Sequence, residues 1–161
     1  MDRVKRATHH ITVKDADLSC KPDGAARAPF TWAVRVYYED TDLGGVVYHA
    51  NYLRFMERAR TEWLRSLGFE QDLLRERLKV QFVVVEARVG FRRPARFNDK
   101  LLVSVSPRRT GRASIEFDQD IRAAAAPHAE ICKAEIRVAC IDPHSFKPKA
   151  LPPEILRELA E

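Results

Sequence analysis

The sequence predicts an α+β fold in which one long apolar helix is wrapped by a curved antiparallel sheet of five to six strands. A β-rich segment at 30–38 precedes a single long helical pattern at 51–68, and four strand-like segments follow it. The connections between these segments are short, which favours antiparallel strands. The helix and the sheet each have an apolar face, so each must cover the other.

The composition is that of a globular protein, because 45% of the 161 residues are apolar and 32% are charged. We expect one domain at 30–161, preceded by a poorly ordered extension at 1–29. No apolar run approaches the roughly 20 residues of a membrane helix, and no signal-peptide core follows the charged N-terminus. Three cysteines without a CxxC spacing favour neither a disulfide framework nor a zinc site. The sequence therefore predicts a cytoplasmic protein without membrane insertion.

The first strand is predicted at 30–38, where β-branched and aromatic residues are frequent. Gly44 and Gly45 then provide the backbone freedom for a sharp reversal of the chain. Period-two alternation puts four residues of the strand on one apolar face: Trp32, Val34, Val36 and Tyr38.

The long helix is predicted to begin at Asn51, a residue type favoured at the N-cap, and to end at Gly68, which suits the C′ position. Leu53, Phe55 and Leu64 widen its apolar stripe, so we expect the helix to be largely buried. The stripe recurs at spacings of four, three, four and four residues: Tyr52, Met56, Ala59, Trp63 and Leu67.

A shorter second helix is predicted at 70–78. Cys132 and Cys140 fall on one face of the last strand and are predicted to be small core residues. A sheet of this size leaves edges, and pairing between copies protects them, so we expect a homodimer or a homotetramer. The four later strands are predicted at 80–88, 100–109, 113–122 and 130–141, and a C-terminal helix is predicted at 152–160.

Residues that could carry chemistry gather at the entrance of the long helix: Asp42, Tyr48, His49, Asn51 and Tyr52. Free backbone N–H groups and the positive end of the helix dipole lie there. A substrate carbonyl that reached those amides would be polarised as in an oxyanion hole, and Asp42 could approach the carbonyl carbon.

The aspartates also allow simpler interpretations. Asp40-x-Asp42 resembles the opening of a calcium loop, but the fifth position is Gly44 and the twelfth, which needs a bidentate glutamate, is Asn51. Alternatively, both aspartates bond backbone amides of the turn. No metal site is predicted, since the adjacent histidines near the N-terminus lack a third ligand at a useful spacing.

The run at 34–64, which includes Glu-Asp-Thr-Asp-Leu-Gly-Gly-Val-Val-Tyr-His-Ala-Asn-Tyr, closely resembles the hotdog-fold acyl-CoA thioesterases of the 4-hydroxybenzoyl-CoA thioesterase superfamily. Within that superfamily it is most similar to the bacterial YbgC-like subgroup, which is associated with the Tol–Pal cell-envelope system. A second, weaker signature lies at 91–99, and the resemblance covers about 30–145.

The resemblance implies a hotdog fold, dimers that often pair into tetramers, and an active site at the subunit interface. It implies hydrolysis of an acyl-CoA thioester to a free carboxylic acid and CoA, with CoA as part of the substrate and no cofactor. In the family's pattern Asp42 is the catalytic carboxylate, the backbone amide of His49 polarises the carbonyl, and the His49 imidazole assists.

Thioester hydrolysis needs few catalytic groups, because it expels a thiolate whose conjugate acid has a pKa of about 8.5. Asp42 could attack the carbonyl to form a mixed anhydride, or act as a general base on water. His49 could orient that water or take up a proton, since an imidazole exchanges protons near neutral pH. The sequence leaves both roles of Asp42 open.

Two further aromatic residues and a helix glutamate have competing interpretations. Tyr48 and Tyr52 would line the acyl pocket, or would pack in the core, which is the more common role beside a buried helix. Glu57 would contact substrate, or would pair with Arg60 one helical turn later.

A basic cluster, formed by Arg88, Arg92, Arg93 and Arg96, would hold the phosphates of CoA, because guanidinium forks suit phosphate oxygens. The alternative is an edge strand that its charges keep from aggregating. The net charge of +5 is otherwise scattered and no aromatic–basic run accompanies it, so nucleic acid is not a predicted partner. The main alternative function is a module that binds acyl thioesters or acyl carrier protein with little or no turnover.

Overall fold

The computed structural model describes residues 28–160. The expectation of a poorly ordered extension at 1–29 therefore lies almost entirely outside the described residues, as do the N-terminal histidine pair and Cys20. No helix among the described residues is both long and apolar enough to span a membrane.

One long helix and a five-stranded sheet dominate this part of the chain. A 3-10 turn at Tyr38–Asp40 follows the first strand. The second helix, α2, is a single turn at Gln71–Leu73 that continues as a π-helical turn at Leu74–Leu78. The other elements are β1 Phe30–Arg35, α1 His49–Ser66, β2 Gln81–Phe91, β3 Lys100–Thr110, β4 Ser114–Ala123, β5 Ala126–Ile141 and α3 Pro153–Ala160.

The strands form one antiparallel sheet in the order β1-β3-β4-β5-β2, as the short connections predict. The successive strands β2 and β3 do not lie side by side, however, because β2 pairs with β5 and β3 pairs with β1. The connection at 92–99 crosses three strand spacings, about 14 Å, which its length can easily span. As a result β1 and β2 form the two edges of the sheet.

The N-terminus of α1 differs from the prediction. The helix begins at His49 with Tyr48 at the N-cap, so Asn51 is not the N-cap residue but the third residue of the helix. The Asn51 side chain donates from Nδ2 to the carbonyl of Asp40, 3.0 Å away, and this tertiary partner replaces the local capping role. At the other end, Gly68 has a φ of +87° just beyond the helix, and its predicted C′ position is confirmed.

The apolar stripe of α1 faces the sheet, as its spacing predicts. Leu67 at the helix end is half-buried, and Leu53, which was expected to widen the stripe, is 39% exposed. Bulges in β2 and β3 increase the curvature of the sheet around the helix. The residues of α1 that are buried are Asn51, Tyr52, Phe55, Met56, Ala59, Trp63 and Leu64.

The predicted apolar face of the first strand is only half correct. Val34 and Val36 are buried, but Trp32 is 39% and Tyr38 is 81% exposed. β1 is an edge strand that ends at Arg35, and Tyr38 already belongs to the 3-10 turn. The apolar–polar alternation of the sequence therefore extends beyond Arg35, where the observed strand ends.

A buried glutamine connects the middle of α1 to the sheet. Gln119 on β4 is 1% exposed, and its Nε2 donates to the carbonyls of Met56 on α1 and Ser104 on β3, each 3.2 Å away. Its Oε1 accepts from Nη1 of Arg60 at 2.6 Å. One side chain thus links the helix to two central strands within an otherwise apolar interface.

The predicted pair of Glu57 with Arg60 does not form. Glu57 Oε1 instead accepts from the Thr61 hydroxyl at 2.9 Å, while Arg60 turns toward Gln119. Burial lowers the pKa of Arg60 to about 10, and the charge of Glu57 opposes this shift. The sheet thus provides Arg60 with a neutral partner that helix spacing alone does not predict.

We expect Gln119→Leu to lower the free energy of unfolding by roughly 2–4 kcal/mol, because buried carbonyl and guanidinium groups would lose their partner. Urea denaturation monitored by circular dichroism measures the change. Glu116→Gln on the same strand is the matched control, since its ion pair with Arg108 is partly exposed and worth less than about 1 kcal/mol. Equal effects of the two substitutions would contradict this role of Gln119.

Candidate active site

The loop between β1 and α1 forms a small closed turn. An isolated antiparallel bridge joins Thr41 to Val47, and the amide of Asp42 donates to the carbonyl of Val46 at 2.9 Å. Gly45 lies in the left-handed region with a φ of +72°, which a residue with a Cβ rarely adopts. The predicted glycine turn is confirmed, and it presents Asp42 at its start.

The two aspartates of the loop have different roles. Asp40 is buried, and its Oδ2 accepts from the amide of Tyr37 at 2.8 Å. Asp42 is exposed, and its Oδ1 accepts from the amide of Gly44 at 2.8 Å. Both aspartates thus bond backbone amides of the turn, as the simpler interpretation expected, and each uses one carboxylate oxygen to do so. Among the described residues, the structure records no partner for the second oxygen of Asp42.

Gly44 allows this close contact. A Cβ built at Gly44 would lie 3.1 Å from Oδ1 of Asp42, tighter than an ordinary contact. The absence of a side chain at this position therefore allows the turn to hold the Asp42 carboxylate in a defined orientation.

The first turn of α1 keeps free amide donors beside this loop. The amide of Tyr48 donates to the carbonyl of Asp40 at 2.9 Å, and the amide of Asn51 donates to Tyr48. Within the described chain, no partner is recorded for the amides of His49 and Ala50, and neither a capping side chain nor an acidic residue satisfies the first turn. These amides are available to an external acceptor at the positive end of the helix dipole.

Backbone pairing brings three of the predicted site residues to one place. Asp42 and His49 follow the two ends of the Thr41–Val47 bridge, so the carboxylate and the first helix residue lie on the same small structure. The His49 ring is exposed and lies 4.4 Å from the ring of Tyr48, which is itself 46% exposed. The prediction that Asp42, Tyr48 and His49 share the helix entrance agrees with this geometry.

Tyr52 occupies a different environment. It is 4% exposed, and its hydroxyl oxygen accepts from the amide of Ala95 at 3.0 Å. Burial raises the pKa of Tyr52, and the bond from Ala95 partly offsets that rise. Its ring packs 5.6 Å from Phe91. Of the two interpretations of Tyr52, these contacts favour core packing.

The connection at 92–99, which contains most of the second signature, is bonded to both parts of the candidate site. The amide of Ala95 donates to Tyr52 on α1, and the carbonyl of Ala95 accepts from the amide of Val47 at 2.8 Å. Ala95 is fully buried at this junction. The sequence did not predict these two hydrogen bonds of Ala95, because a small apolar residue in a loop gives no indication of its backbone partners.

The basic cluster divides into two parts. Arg88 and Arg92 form ion pairs with neighbouring glutamates, which accounts for these two residues without a CoA phosphate. Arg93 and Arg96 are exposed and flank Ala95, and no ion pair within 4.0 Å is recorded for either of them in residues 28–160. The pairs are Arg88 with Glu86 and Glu135, and Arg92 with Glu130.

The cysteines of β5 are core residues, as predicted. Cys132 and Cys140 are free and completely buried. Burial raises the pKa of the Cys132 thiol to about 12 and also raises that of Cys140, so neither is a suitable nucleophile. No group of three or more histidine, cysteine or acidic side chains is placed to hold a metal among the described residues.

Comparison with known proteins assigns the family. The model of the thioesterase superfamily matches residues 44–126. The acyl-CoA thioester hydrolase YbgC of Escherichia coli O6:H1 is 45% identical over 132 residues, which are 82% of this chain and 96% of the relative. The chain belongs to the thioesterase superfamily. The acyl-CoA thioesterase YbgC of Haemophilus influenzae is 44% identical over 126 residues, 78% of this chain and 90% of the relative.

Solved thioesterase structures share the fold. A probable thioesterase from Bartonella henselae is 35% identical with a TM-score of 0.73, over 78% of this chain and all of that chain. The 1,4-dihydroxy-2-naphthoyl-CoA thioesterase Slr0204 from Synechocystis is 25% identical with a TM-score of 0.77, over 83% and 97%. The predicted resemblance to YbgC-like thioesterases and the predicted hotdog fold are confirmed.

Proposed function

We propose that this thioesterase hydrolyses an acyl-CoA thioester to a free carboxylic acid and CoA, with Asp42 and the helix N-terminus as its catalytic groups. The observation that carries the proposal is the exposed Asp42 carboxylate, which accepts from the Gly44 amide on a loop bonded to the first turn of α1. In residues 28–160 the amides of His49 and Ala50 in that turn have no recorded partner. Relatives from Escherichia coli and Haemophilus influenzae that are named for acyl-CoA hydrolysis support the substrate class.

The reaction uses these groups in a simple order. The amide of His49 donates to the thioester oxygen and stabilises the negative charge that develops there. Asp42 either attacks the carbonyl carbon, giving a mixed anhydride that water then hydrolyses, or removes a proton from the attacking water. The carbon–sulfur bond breaks, and CoA leaves as a thiolate that needs no proton at that moment. The His49 imidazole orients water, and no cofactor is required.

The surroundings of Asp42 support a site that a second copy completes. Leu43 is fully exposed beside it, Tyr38 is 81% and Phe97 is 55% exposed, and the rings of Tyr38 and Phe97 pack edge to face at 5.5 Å. Exposed apolar groups that cluster in this way usually mark an interface. We propose that these side chains and Tyr48 line the acyl channel once a partner covers them, while Arg93 and Arg96 contact CoA phosphates.

A homodimer provides this cover most simply. Strand β2 is a sheet edge of eleven residues, on which Val84 and Val85 are each 51% exposed, whereas the β1 edge has only six residues. Pairing of two β2 edges would satisfy their open backbone groups and continue the sheet. Two dimers would form the tetramer that the family resemblance implies.

The free cysteines of the core suit a reducing compartment, and we propose a cytoplasmic location.

Asp42→Asn is expected to lower kcat by a hundredfold or more, because it removes the nucleophile or base while keeping an acceptor for Gly44. Thiol release from short, long and aromatic acyl-CoAs measures the loss and also finds the preferred acyl group. Asp40→Asn, two residues earlier, is the matched control and should keep most of its activity, since it retains an acceptor for Tyr37. Turnover that is indifferent to Asp42→Asn would overturn the mechanism.

His49→Ala is expected to lower kcat by only about tenfold, because the backbone donor remains when the imidazole is removed. The same thiol-release assay, run at several pH values, separates the two contributions. A loss as large as that of Asp42→Asn would assign the main role to the imidazole and contradict a backbone donor.

The double substitution Val84→Asp with Val85→Asp is expected to give a monomer with little activity, because paired charges at the β2 edge repel an approaching copy. Sedimentation velocity measures the mass. Thr31→Asp with Ala33→Asp places the same charges on the β1 edge and should leave the assembly intact. A wild-type monomer, or an unchanged assembly in the β2 variant, would rule out this interface.

A further inference from the structure

A cleft of about 100 Å³ lies between the second half of α1 and the inner face of the sheet. This volume is below the roughly 300–1,000 Å³ of sites that enclose a drug-sized ligand, so the cleft encloses only part of a small ligand. The cleft starts at Glu57, eight residues after His49, so it lies about 12 Å or more along the helix from the amides described above. Its apolar wall includes Trp63, Phe82, Val84 and Phe117.

The most distinctive residue of the cleft is Arg60. Its guanidinium has one recorded hydrogen bond, to the neutral side chain of Gln119, although the group has five N–H donors. No carboxylate of the described chain lies within 4.0 Å of it. Among the described residues no buried side-chain nitrogen lacks a partner, so the unbonded nitrogens of Arg60 are open to the cleft, where an anionic ligand can reach them.

The polar groups at the mouth of the cleft are already bonded to one another. Gln71 Nε2 donates to the Thr61 hydroxyl at 2.8 Å, and that hydroxyl donates to Glu57 at 2.9 Å. Glu57 is exposed, so solvent screens its repulsion of an anion that reaches Arg60. Arg60 is therefore the group in the cleft with unused donors and a positive charge.

We propose that this cleft binds a carboxylic acid with an apolar body, which lies against Trp63 and Phe117 while the carboxylate pairs with Arg60. The two rings pack edge to face at 5.2 Å and form a rigid apolar wall. A carboxylate matches the planar guanidinium fork. The ligand belongs to the same chemical class as the acid that the proposed reaction releases, but within one chain the cleft is separate from Asp42, and its binding does not depend on turnover.

Tryptophan fluorescence tests binding of a carboxylic acid in the cleft directly, because the chain has two tryptophans and only Trp63 lines the cleft. In a Trp32→Phe background, octanoate and octanamide are titrated separately; they share an apolar body and differ in charge. Octanoate is expected to change Trp63 emission saturably, with a Kd at least about tenfold lower than that of octanamide.

Arg60→Gln can still donate to Gln119 and is expected to bring the two dissociation constants within about twofold of each other. Glu57→Gln is the matched control at the mouth and should leave octanoate binding equal or tighter. If Arg60→Gln fails to fold, the comparison of acid with amide in the native chain still decides the question.

Equal binding of octanoate and octanamide, or no saturable response to either, would overturn the proposal. So would a folded Arg60→Gln variant that keeps the preference for the acid. The Arg60→Gln variant distinguishes the two sites, because Arg60 lies eleven residues along α1 from His49. Octanoate binding without acyl-CoA hydrolysis would refute the proposed function alone, and hydrolysis without octanoate binding would refute this inference alone.

Discussion

A helix with one face buried along its length must still satisfy or expose its first backbone amides, and the candidate site depends on how α1 meets this constraint. The carbonyl of Asp40 accepts from the amide of Tyr48 and from the side chain of Asn51, which fixes the loop against the helix. The amides of His49 and Ala50 have no recorded partner in residues 28–160. No side chain caps the helix, and its positive end lies beside the loop that presents Asp42.

The fold holds this arrangement rigid from two further directions. Ala95 bonds both Val47 of the loop and Tyr52 of the helix, so the crossing connection clamps the two together. Gln119 ties the middle of α1 to two central strands and holds the Arg60 side chain. Buried hydrogen bonds thus hold the loop that presents Asp42 against α1, which gives the rigidity that the proposed catalysis requires.

The sheet order explains why assembly and activity are linked in our proposal. The crossing between β2 and β3 puts a long strand with exposed valines at one edge, while the apolar groups around Asp42 remain uncovered in the single chain. A second copy of the chain would pair with the open strand edge and cover the exposed apolar cluster. The cleft at Arg60 lies elsewhere along α1, so the chain combines a surface site at the helix start with a separate recess near its end.

The sequence by itself determined what depends on neighbouring residues. The helix stripe, the glycine turn, the strand segments and the gathering of Asp42, Tyr48 and His49 follow from local periodicity and from short chain separation. Only the tertiary structure decided the strand order, the partner of Arg60, the bond from Asn51 to Asp40 and the exposure of Trp32. The physical reason is that periodicity identifies which face of an element is apolar, whereas the element that covers this face, and the distant group that satisfies each buried donor, are set by packing between segments far apart in the chain.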